Sequence, residues 1–404
     1  MAGKEFIRIL TINSGSSSLK FSVYRMGRLG HKKSSETLLR SGKLERIGLK
    51  GSLFHVKEAS GQTRVEEDPD LPDHEAALRV LFEWLGKDPD GAEIDAVGHR
   101  IVHGGTRFRR PHLITAEVID ALNALVPLAP DHLPHEIKAV QAVGRIYPSL
   151  RQIACFDTAF HREMPPIAQR IPLQRELGDE GVLRYGFHGL SYEYIMSALK
   201  EEAGQEAADG RVIVAHLGNG ASMAAVHHGK SVETTMGLTP AGGLVMSTRS
   251  GDLDPGVLLY LLLEKRTPPA ALNEMVNRRG GLLGVSGISP DMKDLLTEAE
   301  KNQHAAEAVN LFCYQAKKYL GALAAVLGGI DTLVFTGGIG ENAPAVRRRI
   351  CDGLAFFGIA LDPVRNEANA PVISKGGSTA TVRVMKTNEE LMIARETRRL
   401  VLNP

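Results

Sequence analysis

A strand, a turn of small residues and a second strand follow one another twice in this chain, and that echo restricts the fold more than any other feature. The β-rich run Phe6 to Ile12 leads into Asn13-Ser-Gly-Ser-Ser-Ser18, after which Leu19 to Tyr24 alternates with period two. Roughly 200 residues on, the strand-like Arg211 to Leu217 leads into a turn within His216-Leu-Gly-Asn-Gly-Ala-Ser222, with a further strand beyond. Each unit reads as a hairpin with an unusual loop. Their repetition points to a duplicated domain, and 404 residues with 43% hydrophobic content can bury two cores. Two domains imply a cleft. No proline-rich or low-complexity stretch separates the halves, so the hinge is expected in ordinary structure near 157 and 387.

The remaining elements alternate between helix and strand. Asp73 is placed to cap a helix whose Leu78, Leu81, Phe82 and Leu85 fall on one face. Ile94 to Val102 and Gln152 to Phe156 read as strands. Asp254 and Pro255 suit the cap and first turn of an apolar helix through Leu263. A long helix is predicted from Ala305 to Leu327, a buried strand from Thr332 to Thr336, and a last helix from Glu389 to Val401. The class is mixed α/β.

Charge and composition narrow the function. With 48 basic and 47 acidic residues the net charge is +1, so nothing marks a nucleic-acid or membrane surface and small molecules are the expected partners. Three dispersed cysteines, Cys155, Cys313 and Cys351, fit neither a disulfide framework nor a zinc site, which suggests a reducing compartment. The run from Tyr319 to Ile330 falls well short of the roughly 20 apolar residues a bilayer span needs. Met1 to Leu10 lacks the apolar core of a signal peptide, so the protein is expected in the cytoplasm.

Both turns let backbone N–H groups converge on an anion without interference from Cβ atoms, and two of them suit a polyphosphate. A third glycine cluster, Thr336-Gly-Gly-Ile-Gly-Glu-Asn342, follows a strand and precedes a helix. It matches part of the dinucleotide fingerprint, but too little chain remains for two mononucleotide-binding halves, so a nucleotide base or ribose resting on a glycine turn is the better reading. Gly229-Lys230-Ser231 ends like a phosphate-binding P-loop, yet Ala224 stands where that motif needs its first glycine; a hairpin turn is expected.

Several charged residues stand where a bland explanation is strained. Period two puts Ile94, Ala96, Gly98, Arg100 and Val102 on one face, so Arg100 projects from apolar surroundings and needs an anion, either a ligand or a structural acid. Arg249 sits in a loop and reads equally well as a surface residue. Asp157 directly follows an apolar strand, where it could hold Mg²⁺ through water or cap a turn. His188 lies between two glycines that permit close approach by a ligand, although a lone histidine is more often a satisfied loop residue. Thr387 and Glu390 are spaced as a capping box, which alone would explain the acids at Glu389 and Glu390.

In order along the chain, nine segments resemble the acetate kinase family: Asn13-Ser-Gly-Ser-Ser-Ser-Leu-Lys20, Ala96-Val-Gly-His-Arg-Ile-Val-His-Gly-Gly105, Phe156-Asp-Thr-Ala-Phe-His161, Tyr185-Gly-Phe-His-Gly189, His216-Leu-Gly-Asn-Gly220, Val232-Glu-Thr-Thr-Met236, Thr248-Arg-Ser-Gly251, Gly337-Gly-Ile-Gly-Glu-Asn342 and Thr387-Asn-Glu-Glu390. The resemblance implies two duplicated actin-like, ribonuclease H-like βββαβαβα domains with the nucleotide in the cleft. Residues 1–157 with 388–404 would form the acyl-substrate side, and 158–387 the nucleotide side. It implies ATP plus acetate giving ADP and acetyl phosphate, with Mg²⁺ or alternatively Mn²⁺, in a homodimer. Propionate, butyrate or hydroxy-acid kinases are the runners-up, and a non-catalytic actin-like nucleotide switch is the other class to weigh.

Carried over by residue, the resemblance places catalysis on Arg100, Asp157, His188, Arg249 and His132, and the metal at Asn13 and Glu389. Nucleotide and phosphate contacts fall on Ser16, Ser18, Lys20, His216, Leu217, Gly218, Asn219, Gly220, Asp291, Met292, Lys293, Gly337, Gly338, Ile339, Gly340, Glu341 and Asn342. The acyl pocket uses Arg100, Val102, Phe187 and Pro240. One departure is Asp131, where these kinases carry a leucine. Arg100 and Arg249 are expected to matter for turnover and not for folding.

Overall fold

The computed structural model describes residues 5–15, 17–27, 36–88 and 93–402. It divides into two units, Met1–Ala159 with Asn388–Pro404, and Phe160–Thr387.

In the first unit the opening hairpin pairs β1 (Phe6–Ser14) with β2 (Ser18–Gly27), Asn13 facing Lys20 and Ser14 facing Leu19. Gly15 N–H donates to Ser18 O at 2.8 Å and closes the turn. Three further antiparallel strands, β3 (Glu36–Glu45), β4 (Leu53–Glu58) and β5 (Thr63–Glu67), extend one side. On the other side β6 (Ala96–Ile101) runs parallel to β1, then comes β8 (Arg151–Phe156), edged by the short β7 (His112–Leu113). The helix His74–Lys87 begins where Asp73 accepts from Ala76 N–H, and its Leu78, Leu81, Phe82 and Leu85 are buried against Phe21, Phe54 and Val143.

The last helix, Glu389–Leu402, packs on β1, β2, β6 and β8. Gly98 makes this possible, because a Cβ there would lie 2.3 Å from Thr397 Oγ1 and 2.5 Å from an Ile393 methyl. Arg395 and Arg398 pair with Glu36 at 2.7 and 3.1 Å, fastening the helix to β3. The expected capping box does not form. Asn388 Oδ1 accepts from Leu391 N–H at 2.9 Å instead, while the Thr387 hydroxyl is taken up by Ser191 at 2.8 Å.

In the second unit β9 (Val212–Leu217), β10 (Ala221–His227) and β11 (Lys230–Thr234) are antiparallel, and β12 (Thr332–Thr336) and β13 (Thr381–Val384) run parallel to β9. The sheet order is β11-β10-β9-β12-β13, and the first sheet contains the same path as β3-β2-β1-β6-β8. The expected duplication is therefore visible as topology. His228 and Gly229 are both left-handed between β10 and β11, so the Gly-Lys-Ser segment is a hairpin turn, as predicted.

One feature differs from expectation. Residues 337–342 form a short helix instead of an open turn: left-handed Gly337 starts it, and Glu341 Oε1 accepts from Gly337 N–H at 3.0 Å. The apolar helix after Asp254, Pro255–Leu259 continuing through Tyr260–Glu264, is not buried; Leu259, Tyr260 and Leu263 are all more than half exposed. Among the described residues no helix is long and apolar enough to cross a membrane.

Candidate active site

In the first unit the strand periodicity that singled out Arg100 also explains its neighbours. Gly98 seats the middle of the last helix, so Arg100, two residues on, meets the acid one turn earlier in that helix: Glu389 Oε2 lies 3.9 Å from Arg100 Nε. Asp157, fully buried at the end of β8, takes Arg100 in a fork, with Nε 3.0 Å from both carboxylate oxygens and Nη2 2.5 Å from Oδ2. Arg100 Nη1 donates to Asn13 Oδ1 at 3.2 Å. The structural acid that was one of two explanations for Arg100 is thus present. Yet a guanidinium has five N–H donors, and these bonds use three; two remain for a ligand.

Behind this group lies an acid that sequence reading missed. Glu136, on the helix Leu133–Ile146, is 4% exposed and accepts from Val102 N–H at 3.0 Å. Burial pushes its carboxyl up to about 8, the nearby Asp157 adding to the effect and Arg100 opposing it. His132 occupies the N-cap position of the same helix. Asp131 is half-buried and acts on His135, where it opposes the lowering caused mainly by burial. Ser18 and Lys20 begin β2 beside Asn13; Ser16 lies outside the described residues.

In the second unit two glycine clusters that lie far apart in sequence come side by side. Gly218 to Gly220 follow β9, and Gly337 and Gly338 follow its parallel neighbour β12; a Cβ on Gly337 would lie 2.7 Å from Leu217 O, and one on Gly218 3.8 Å from Gly338 N. Asn219 O accepts from Ser247 N–H at 3.2 Å, which ties the turn to the loop carrying Arg249. Arg249 Nη1 donates to Pro240 O at 2.7 Å. Gly220 faces both Arg249 and His188, for a Cβ there would stand 2.8 Å from Arg249 Nη2 and 3.0 Å from His188 Nε2.

His188 is left-handed, with φ 59°, at the N-cap of the helix Gly189–Ala203. Its ring stacks on His216, centroids 4.3 Å apart, and its Nδ1 meets Ser222 Oγ at 2.8 Å. Buried His161 holds the preceding residue: its Nε2–H donates to Phe187 O at 3.1 Å, and burial lowers its pKa to about 4, so it is neutral. Beneath the 337–342 helix, fully buried Arg347 donates to Gly340 O at 2.8 Å and to Glu341 O at 3.1 Å. Asp291 caps its own helix by accepting from Lys293 N–H at 2.7 Å, while Met292 points into the core.

The structure thus groups the expected residues into two sets, each within one unit. Asn13, Arg100, Asp157 and Glu389 form the first; His188, His216, Gly220, Arg249 and Pro240 form the second. Both sets present cationic or N–H donors of the kind that bind carboxylates and phosphates.

Comparison with known proteins is consistent across sequence and structure. The sequence profile of the Acetokinase family matches residues 8–395. The chain is 47% identical to the acetate kinase of Rhodopseudomonas palustris over 396 residues, 97% of this chain and 98% of the relative. Its fold is similar to the crystal structure of Porphyromonas gingivalis acetate kinase, with TM-score 0.87 and 40% identity over 98% of this chain and all of the other. A propionate kinase from Francisella tularensis is also similar, with TM-score 0.90 and 35% identity over 97% of this chain and 99% of the other.

Proposed function

The chain belongs to the acetokinase family, and from that membership we infer that it transfers the γ-phosphoryl group of ATP to the carboxylate of acetate, giving acetyl phosphate and ADP. Acetate has a pKa near that of a glutamate, about 4.3, so the nucleophile is ionised at neutral pH and no general base is required. The barrier comes from bringing a carboxylate to a polyphosphate and from the charge spread over the transferring oxygens. Fixed cations and N–H donors lower it.

In this reading the first unit's Arg100, rigidly held by Asp157 and Asn13, uses its two remaining N–H groups on the substrate anion. That preorganised guanidinium is the observation that carries the assignment. Arg249 and the Nε2 edge of His188 act on the transferring phosphoryl group, and the two apposed glycine clusters with Lys20 and Ser18 receive the nucleotide phosphates. Val102, Phe187 and Pro240 are assigned to the acyl group. Glu389 and Asn13 each carry a side-chain oxygen of the type Mg²⁺ takes while keeping several of its waters, and Asp157, whose two oxygens are already bonded to Arg100, would reach the ion only through water. When bound there it would neutralise phosphate charge.

The exposed apolar run through Leu259, Tyr260 and Leu263 supports a homodimer, since large contiguous apolar patches on soluble proteins usually meet a partner. The three cysteines are buried thiols, which fits a reducing cytoplasm. Trapping acyl phosphate as its hydroxamate, from ATP and acetate with and without Mg²⁺, tests the reaction directly. In the same assay Arg249→Ala is expected to lower kcat by about 10²–10³, as loss of one charge-stabilising group does. A folded Arg249→Ala variant with near-normal kcat would remove that residue from the mechanism.

A further inference from the structure

For His188 to serve as a hydrogen-bond donor, its proton must sit on the ring nitrogen that faces the chemistry, and a buried chain of hydroxyls decides which nitrogen that is. Tyr192 Oη lies 2.5 Å from Ser222 Oγ, which lies 2.8 Å from His188 Nδ1. Tyr192 and Ser222 have no exposed surface, and the tyrosine ring is packed against Phe160 and His161. Burial raises the Tyr192 phenol, so it keeps its proton. Among the described residues its only acceptor is Ser222 Oγ.

Proton counting then fixes the direction of the chain. A buried O–H without an acceptor is costly, so Tyr192 donates to Ser222. Ser222 has one proton of its own, and it goes to His188 Nδ1. With Nδ1 as acceptor, the single proton of the neutral ring is on Nε2, the nitrogen on the side of Gly220 and Arg249. We propose that Ser222 and Tyr192 are positioning residues that hold His188 as the neutral tautomer protonated on Nε2, ready to donate to the transferring phosphoryl group. This rests on the reading of His188 given above.

The same chain resists a second proton on the ring. An Nδ1–H would have to donate to Ser222, which would turn its own proton to Tyr192 and leave the phenolic O–H without an acceptor in a dry core. The surroundings act in the same direction. Arg249 across Gly220 is cationic, which disfavours a second positive charge on the ring. The hydroxyl chain therefore favours the ring with its single proton on Nε2.

Nitrogen NMR of the full-length protein with ¹⁵N-labelled histidine, His188 assigned by the signal lost in His188→Gln, reads the tautomer directly. At neutral pH the wild type should show the Nε2–H pattern, and Ser222→Ala a mixture of tautomers. Ser222→Ala is also expected to lower kcat about tenfold or more while both KM values change less than about twofold, because losing the outer partner of a functional imidazole costs about 10- to 100-fold. Tyr192→Phe, which leaves Ser222 able to donate, should keep the Nε2–H pattern and lose less activity than Ser222→Ala. A wild-type His188 with its proton on Nδ1, or doubly protonated, overturns the proposal. So does a Ser222→Ala protein with unchanged tautomer and unchanged kcat. Near-normal kcat in His188→Gln would instead strike the underlying assignment of His188 to the reaction, whatever the spectra show.

Discussion

Truncating Arg100 to alanine should cost the protein both its rate and much of its stability, and the two losses can be separated. The guanidinium forks Asp157, whose side chain is 1% exposed, with contacts of 3.0, 3.0 and 2.5 Å. Removing one partner of a buried pair leaves an uncompensated charge, at a cost of about 3–5 kcal/mol. Against a total stability of about 5–15 kcal/mol for a typical domain, that is severe. The buried pair adds a predicted loss of stability to the loss of turnover expected for Arg100. Arg100→Ala should unfold at clearly lower denaturant, with kcat down about 10²–10³ in the hydroxamate assay. The double variant Arg100→Ala, Asp157→Asn removes the stranded carboxylate, so its denaturation midpoint should recover most of the loss while kcat stays low. The deficit of the single variant should also shrink in acid, where Asp157 can take up a proton. Unchanged stability in Arg100→Ala would refute the claim that the pair holds a buried charge, and recovery of kcat in the double variant would refute a role for Arg100 in transfer.

Three other outcomes follow from particular contacts. Gly220→Ala places a Cβ 2.8 Å from Arg249 Nη2 and 3.0 Å from His188 Nε2, so initial rates should fall about 10²-fold with little change in thermal midpoint, as small misplacements of catalytic groups do. Glu136, with its pKa raised to about 8, stabilises the fold most below the unfolded value of about 4.5, and that contribution is lost as pH rises through about 8; Glu136→Gln should flatten this part of the stability–pH profile, and an unchanged profile would mean the carboxyl is ionised throughout. Gly98→Ala drives a methyl into Ile393 and Thr397 and should destabilise by about 1–3 kcal/mol in denaturant titration while displacing Glu389 from Arg100, so that stability and rate fall together.

Strand alternation was the most informative signal in the sequence, because it follows from backbone geometry alone. It placed Gly98 and Arg100 on one face, and the structure shows why both are there: one seats the last helix and the other meets its first acid. The repeated hairpins were legible for the same reason. Strands β3 to β5 were not, since Glu36–Glu45 and Thr63–Glu67 lie toward the open side of a sheet and lack a clean apolar face. Thr387 shows how tertiary contacts override a local motif: its hydroxyl is claimed by Ser191, and the neighbouring asparagine caps the helix. Glu136 could have been found, because it falls on the stripe of Leu133, Val140 and Val143, an acid in an apolar row by the same criterion that exposed Arg100. Ser222 and Tyr192 left no trace, for a hydroxyl in a buried element looks alike whether it relays a proton or simply fills space.

The last helix of the chain completes the first sheet, and this sets an order on how the protein comes into being. When residues up to Ala159 have been synthesised, the face of β1 and β6 around Gly98 still lacks its cover, and it stays bare while all of Phe160–Thr387 is made. Arg100 and Asp157 can pair early, since both precede residue 160. Glu389 cannot join them until Glu389–Leu402 has docked, with Arg395 and Arg398 closing on Glu36. Carboxylate supply to this site is thereby tied to synthesis of the segment Glu389–Leu402. A chain broken off before residue 388 would keep both glycine-rich turns together with Arg100 and Arg249, yet hold an unfinished first sheet and lack one of the acids that surround Arg100.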